Sequence, residues 1–289
     1  MQDFKGKTAF ITGGGSGIGL GLARAFGRAG MNVVLADIET EAAKAAAEAL
    51  AVQQITAVPV IADVADRASV RAAALEAIAA FGKVHVVCNN AGVSMEPAPV
   101  GQVAPSDWDW TLDVNLKGVV HGVETFVPLI KSHGEGGHIV NTASLAGLLS
   151  MPGAEPYCAT KFAVIAMTEG WARQLAPLGI GVSALCPGFV RTKIGRAGRN
   201  RQDRYGGSRR TGFGDAGMNR LAQGIDPDVV GERVVEGVKA GELYIITDPR
   251  YAEAYERRMA GVRAAFAAAE QSAVLKAVKA WPPIGGGER

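Results

Sequence analysis

The class this sequence predicts is an α/β fold on a doubly wound, parallel seven-stranded sheet, and three observations point to it. Short apolar stretches alternate with helix-like stretches along most of the chain. The apolar stretches are continuous rather than apolar at every second position, the pattern of strands covered by helices on both faces. Glycine is abundant, at 38 of 289 residues, about twice its ordinary share of roughly 7%. It follows no collagen-like period, so tight turns and close backbone approaches are expected.

The elements follow in order. Lys7 to Ile11 is a short apolar strand, and the glycine-rich turn after it opens a helix over Gly17 to Ala29. Asn32 to Ala36 is the second strand. Glu39 to Gln53 sets alanines, Leu50 and Val52 among charges and reads as an amphipathic helix. Ala57 to Ala62 is the third strand, Ser69 to Phe81 a helix and Val84 to Asn89 the fourth strand. Two consecutive helical stretches, Ser106 to Gly118 and Val119 to Lys131, precede a fifth strand over Gly137 to Ser144. A helix from about Tyr157 to Leu175 leads to the sixth strand, Gly181 to Cys186. Residues 189–224 hold many glycines and arginines with little periodicity, and read as a long lid loop with at most a short helix. Asp228 to Ala240 is helical and Leu243 to Ile246 is the last strand. From Tyr251 onward, Tyr255, Met259, Val262 and Phe266 recur at helical spacing. A second helical piece, Ser272 to Trp281, stops at Pro282-Pro283, and Gly285 to Arg289 is expected to fray. The expected organisation is one domain over residues 1–250 that includes the lid, with a C-terminal helical extension over 251–289 packed on it.

A net charge of +2 is too small to imply a nucleic-acid partner. The basicity is local, with eight basic residues and one acid between Arg191 and Arg210, and it lacks interleaved aromatics beyond Tyr205. Cys88, Cys158 and Cys186 form neither a CxxC pair nor a disulfide framework. The chain shows no signal-peptide h-region, and no apolar run reaches the length of a spanning helix. The cytoplasm is therefore the expected compartment, without a membrane partner.

After the first strand comes a cluster in which Gly13, Gly15, Gly17 and Gly19 surround Ser16 and Ile18. Such a turn lets a pyrophosphate approach backbone N–H groups at a helix N-terminus, where the partial positive charge favours an anion. The same pattern also serves ordinary strand-to-helix turns. Asp37 ends the second strand, eighteen residues after Gly19, where a carboxylate can accept hydrogen bonds from an adenosine ribose. Its charge would repel a 2′-phosphate and the adjacent Ile38 supplies no guanidinium, so NAD is expected rather than NADP; a capping acid is the plainer account. Asp63 and Val64 follow the third strand and Asn90, Ala91 and Gly92 the fourth, where the strand ends line a cofactor crevice.

Tyr157 and Lys161 are four apart on one helix face, and Ser144 ends the preceding strand. Hydride transfer to or from an alcohol carbon needs a group that exchanges the hydroxyl proton. A free phenol, with a pKa of about 10, is a poor base near neutrality. A neighbouring ammonium and an oxidised nicotinamide would favour the phenolate, and Ser144 could hydrogen-bond the substrate oxygen. A packed tyrosine beside a solvated lysine shows the same spacing without any chemistry.

Taken together, these motifs resemble the short-chain dehydrogenase/reductase family, with its Rossmann fold, over about Lys5 to Ile246. The carriers are the glycine turn, Asn89-Asn90-Ala91-Gly92, Ser144, Tyr157-Cys158-Ala159-Thr160-Lys161 and Pro187-Gly188 followed by Val190 and Thr192. The resemblance implies that Asn115 joins Ser144, Tyr157 and Lys161 by kinking its helix and holding a water that connects Lys161 to solvent. It also implies that Lys161 binds the nicotinamide ribose, that Val190 and Thr192 contact the carboxamide, and that Asp63 and Val64 touch adenine. A homodimer or homotetramer through the helices near 106–131 and 157–175 is implied too. No role requires a metal, and His85, His121, His133 and His138 form no ligand cluster in the sequence.

A narrower similarity, through Phe126-Val127-Pro128, Gly137-His138-Ile139-Val140, Asn200-Arg201 and the stretch from Ala252, is to the Cα-dehydrogenases of lignin-derived aryl ethers. Met151, Gly153 and Phe189, with Ser144 and Tyr157, are the expected substrate contacts, alongside Val93 to Glu96, Leu145, Pro152 and Glu155. Most are apolar, which favours a hydrophobic or aromatic secondary alcohol or ketone over a sugar. A cis-dihydrodiol or hydroxysteroid dehydrogenase, or a non-catalytic dinucleotide-binding regulator, are the alternatives. For the lid arginines a solvated surface or a contact with another subunit is the plainer account, and selection of a substrate carboxylate or phosphate is the alternative.

Overall fold

The computed structural model describes residues 1–209 and 213–281. Arg210, the Pro282-Pro283 stop and the frayed Gly285 to Arg289 lie outside the described residues. The chain divides into two compact units, Met1–Asp248 and Pro249–Arg289.

The sheet of the first unit has seven parallel strands: β1 (Thr8–Thr12), β2 (Asn32–Asp37), β3 (Ala57–Ile61), β4 (Val86–Asn89), β5 (Gly137–Thr142), β6 (Ile180–Cys186) and β7 (Tyr244–Ile246). Their spatial order is β3-β2-β1-β4-β5-β6-β7. Strand order reverses between β1 and β4, so a crevice opens at the C-terminal ends of these two strands.

Helices cover both faces because the central strands are apolar on both. On one side α1 (Gly17–Arg28) and α8 (Pro227–Ala240) bury Leu22, Phe26, Val230 and Val234 against Ile11, Leu35 and Leu185. These two helices approach closely: a Cβ on Gly231 would lie 2.2 Å from the Gly21 carbonyl oxygen. On the other side α3 (Arg67–Phe81), α4 (Pro105–Leu112) and α5 (Gly118–His133) bury Val70, Trp110, Phe126 and Ile130 over Phe10, Val34 and Ile139. The remaining helices of this unit are α2 (Thr40–Val52), α6 (Glu155–Leu175) and α7 (Gly214–Ala222).

Several expectations shift. β3 is an edge strand with Ile61 46% exposed, so it is not covered on both faces. The break expected between Gly118 and Val119 comes earlier: α4 ends at Leu112, and a π-helical segment, Asp113–Lys117, precedes α5. The lid is more ordered than a loop, with 3-10 segments at Ile194–Asn200 and Asp203–Tyr205 and then α7. In the second unit α9 (Ala252–Gln271) forms as its spacing suggests, but none of its residues is buried. The last helical piece is the short α10 (Ala273–Lys276), which ends before Trp281. No helix among the described residues is long and apolar enough to cross a membrane.

Candidate active site

The crevice floor is tied together through Thr12. Its hydroxyl accepts hydrogen bonds from the backbone N–H of Asn90 (2.8 Å) and Ala91 (3.0 Å), while the Asn90 side-chain amide donates to the Thr12 carbonyl at 2.9 Å. The glycine turn and the loop after β4 therefore face each other at close range. A Cβ on Gly13, which has φ +64°, would sit 3.0 Å from Ala91 Cα, and one on Gly19 only 2.0 Å from the Gly13 carbonyl oxygen. Ser16 is the N-cap of α1 without a side-chain cap bond, and Gly17 begins the helix at φ +52°. Backbone amides of Gly17, Ile18 and Gly19 belong to the first turn, which has no intrahelical acceptors for them. This close-built backbone cradle with an open helix N-terminus fits a dinucleotide's pyrophosphate.

Asp37 is 8% exposed at the end of β2. Its carboxylate accepts the N–H of Gly15 and of Glu39, each at 2.9 Å, which joins β2 to the glycine turn. Burial raises its pKa above the ordinary carboxylate value, against these backbone hydrogen bonds and that of Ile38. Asp63 follows β3 and accepts the Ala65 N–H at 3.0 Å. Beside it the Val64 carbonyl accepts from His121 Nδ1 at 2.9 Å.

The candidate catalytic residues come from three elements: the π-helical segment, the end of β5 and α6. Asn115 lies fully buried in the π-helical segment; its side chain accepts the Val93 N–H at 2.7 Å and donates to the Val93 carbonyl at 2.9 Å. That pairing holds the loop after β4 against the widened helical turn, the role such π segments often take at functional sites. A Cβ on Gly92 would lie 3.4 Å from Asn115 Oδ1 and 3.7 Å from Lys161 Nζ. Lys161, 3% exposed on α6, donates to the Thr142 carbonyl at 2.8 Å and stands 5.5 Å from the Tyr157 ring centroid. Burial lowers its pKa to about 8. Tyr157 lies one turn earlier; burial pushes its phenol up to about 12, opposed by a hydrogen bond with Ser144. Ser144 also accepts the Ala146 N–H at 3.0 Å, which fixes the hydroxyl at the end of β5. Here a buried lysine and a phenol stand one helical turn apart on α6, a setting in which small charge changes move a proton.

The residues expected on the substrate side follow β4, β5 and β6. Gly153, at φ +81°, accepts the Ala98 N–H at 3.0 Å, so the loops after β4 and β5 form one rim. Met151 is 39% exposed on that rim, and Val93, Met95 and Leu145 are buried beneath it. Pro187 accepts the Leu145 N–H at 3.0 Å, and Gly188 donates to Thr247 at 3.4 Å. Phe189 and Val190 meet the chain before α8 through the Ile225 N–H (3.0 Å) and a β-bridge. Thr192 closes on the glycine turn, its Cγ2 being 3.0 Å from where a Cβ on Gly17 would stand.

Two sequence readings need correction. The described lid arginines are mostly exposed but paired, and do not gather as an anion trap. Arg191 pairs with Asp226, Arg199 with Glu39, Arg201 and Arg209 with Asp107, and Arg204 with Asp63, all within one chain. Lys193 and Arg196 line a cleft of about 540 Å³ with Gly17, Thr192, Met218 and Leu221, which excludes Ser144, Tyr157 and Lys161. From the lid, Arg199 and Asn200 hydrogen-bond Glu39, two residues past Asp37, at 2.5 and 2.7 Å. Burial alone would raise the Glu39 pKa, but these hydrogen bonds outweigh it and lower the value. Partners this distant leave no local pattern to read.

The second correction concerns histidine. His85, His133 and Glu135 do converge, with ligand atoms within 4.8 Å of one another. Both imidazoles are already committed: Nδ1 of each accepts a backbone N–H at 3.2 Å, and Nε2 of each stands 3.0 Å from an oxygen, of Glu135 or Val84. A neutral ring bonded in this way has no free lone pair to give a cation.

A family model for short chain dehydrogenases matches residues 7–203. The chain belongs to that family. It is an oxidoreductase. A C alpha-dehydrogenase from a Sphingobium species is 37% identical over 91% of this chain and 87% of its own length. A 3beta-hydroxysteroid dehydrogenase from Eggerthella lenta is 36% identical, covering 73% of this chain and 81% of that protein. Among solved structures, a short chain dehydrogenase/reductase from Burkholderia phymatum in complex with NAD superposes with a TM-score of 0.84 at 36% identity, covering 91% and 96% of the two chains.

Proposed function

We propose that the chain uses NAD to move hydride between the cofactor and a secondary alcohol or ketone on an aromatic skeleton, a benzylic alcohol of a lignin-derived aryl ether. The observation that carries the reading is the convergence of Tyr157, Ser144, Lys161 and Asn115 beneath a rim of apolar side chains. The Sphingobium and Burkholderia likenesses support the substrate and the cofactor respectively.

Bound NAD supplies the hydride acceptor in the oxidation direction. Gly13, Gly15, Ser16, Gly17, Ile18 and Gly19 would hold its pyrophosphate, Asp37 and Ile38 its adenosine ribose, and Asp63 and Val64 its adenine. Asn90, Ala91, Gly92, Pro187, Gly188, Val190 and Thr192 would hold the nicotinamide half. Ser144 fixes the substrate oxygen beside Tyr157, whose phenolate form takes the alcohol proton as the hydride leaves. Lys161 holds positive charge near the phenol and contributes to the ribose site, and Asn115 keeps its helical turn open next to it. Met151, Gly153 and Phe189 border the ring of the substrate.

A steroid alcohol is the second reading, favoured by the Eggerthella relative. A panel of benzylic, alicyclic and steroid alcohols assayed with NAD and with NADP decides between them. The highest kcat/KM is expected for a benzylic alcohol with NAD; a steroid preference replaces the substrate reading, and equal use of NADP removes the charge argument from Asp37. A second copy of the chain is the expected partner, and sedimentation should give a dimer or tetramer.

A further inference from the structure

The lid meets the helical turn that carries Asn115, through a contact outside the family motifs. Asp113 opens the π-helical segment, two residues before Asn115. The Tyr205 hydroxyl donates to Asp113 Oδ2 at 2.6 Å, while Lys117 of the same segment pairs with Asp113 Oδ1 at 2.7 Å. Lys117 is 62% exposed, whereas Tyr205 is buried. Burial, together with the bond to Asp113, pushes the Tyr205 phenol up to about 12, so the hydroxyl keeps its proton and donates throughout the neutral range. Burial alone would raise the Asp113 pKa, but the bonds from Lys117 and Tyr205 outweigh it and lower the value, which keeps the acceptor charged.

Tyr205 is itself held in place. Its backbone carbonyl accepts from Arg201 Nε at 2.7 Å, and Arg201, whose side chain is 1% exposed, pairs with Asp107, donates to Ser106 at 2.9 Å and stands 5.1 Å from the Trp110 ring centroid. Ser106, Asp107 and Trp110 belong to α4, the helix that runs into the π-helical segment. A second lid contact lies on the other side of Asn115. Ser94, 3% exposed, donates its hydroxyl to the Ile194 carbonyl at 3.0 Å, next to the Val93 that Asn115 clasps. Asn115 Nδ2 also stands 3.5 Å from Thr160 Oγ1, whose hydroxyl donates to the Tyr157 carbonyl at 2.7 Å. A shift of this turn therefore reaches the helix of Tyr157 and Lys161 directly.

We propose that Tyr205 is a positioning residue for the reaction: through Asp113 its hydroxyl fixes the widened turn, so that Asn115 stands against Val93 and Thr160 only while the lid is seated. The proposal rests on Asn115 belonging to the catalytic group. A π-helical turn is a rare break between α-helices, and here a charge-assisted hydrogen bond from outside the helix holds it. Lifting the lid to exchange ligands withdraws that bond, and the geometry of the reacting residues relaxes with it. Chemistry is thereby confined to the closed state.

The test reads the rate of hydride transfer in a single turnover, at saturating NAD and benzylic alcohol, beside amide hydrogen exchange at residues 113–117. In Tyr205→Phe the rate should fall about tenfold, the lower end of what one hydrogen bond to a charged group is worth, with NADH affinity within about twofold of the wild type. Asp113→Ala should fall as far, and the double variant Tyr205→Phe/Asp113→Ala no further. Asp113→Asn loses the Lys117 pair but keeps an acceptor for Tyr205, and should recover most of the rate. Arg199→Ala loosens the lid at Glu39, away from the turn, and should keep the wild-type rate. Exchange at residues 113–117 should rise in Tyr205→Phe and not in Arg199→Ala. A wild-type rate or unchanged exchange in Tyr205→Phe overturns the proposal. So does an equal fall in Arg199→Ala, which assigns the effect to the lid as a whole, or a loss in Asp113→Asn as large as in Asp113→Ala, which assigns it to the Lys117 pair. A wild type that oxidises no alcohol removes the function reading instead, and exchange at 113–117 still decides whether the lid sets this turn.

Discussion

On the floor of the crevice, Thr12, Asn90 and Gly15 meet through backbone hydrogen bonds and glycine-close contacts, with Asp37 buried among them. Across the lid, Arg199, Arg201, Arg204 and Arg209 reach acids just before α2, after β3 and on α4, and most of these contacts keep a solvent-facing side. The floor is held by covalent neighbours and strand order, so it has little freedom to rearrange. The lid is held by charge across long sequence separations, so its position is adjustable and sensitive to the medium. The difference matches the tasks: reacting atoms need a fixed geometry, whereas a cover has to admit and release ligands.

The largest effect separates chemistry from cover. Tyr157→Phe should lower kcat by about a thousandfold while NADH titrates almost as in the wild type; retained turnover would break the floor's claim to the reaction. Next, Asp107→Ala strands the buried Arg201 guanidinium, which should destabilise the lid by about 3 kcal/mol. Hydrogen exchange should then rise over residues 194–209 and stay low in β1 and β4. Exchange rising equally throughout would show lid and floor to be one cooperative unit.

Acid should act on the sheet, at the end of β5 away from the crevice. His138 in β5 is buried and its pKa is lowered to about 3, from an ordinary value of 6.5, by that burial. Its Nε2 pairs with Ser183 at 2.8 Å, while Nδ1 is buried without a partner among the described residues. The unfolded chain takes up this proton near 6.5 and the folded chain only near 3, so stability is full above 6.5 and is lost as pH falls through that window. Urea unfolding should show a loss of about 1 kcal/mol over the first pH unit below the ordinary value, and His138→Gln should flatten that slope. Salt should act on the lid, and most weakly. The Arg199 and Glu39 side chains are 34% and 32% exposed, so Arg199→Ala should cost at most about 1 kcal/mol in lid closure, a difference that high salt removes. A salt-independent loss would point to packing rather than charge.

Local order in the chain was enough to specify the strand–helix alternation, the glycine turn, Asp37, and Ser144, Tyr157 and Lys161, because these features lie within a few residues of a strand end or on one helix face. Continuous apolar runs such as that of β4 dictated a covered parallel sheet before any contact was known. Tertiary structure alone decided that β3 stands at an edge, that the turn around Asn115 widens to clasp Val93, and that His85 and His133 meet at Glu135. It also decided the fate of the lid arginines, since a charge carries no mark of which distant acid it will find. Periodicity reports how a segment buries its own face; pairing across a hundred residues is settled only when the sheet has brought the strand ends together.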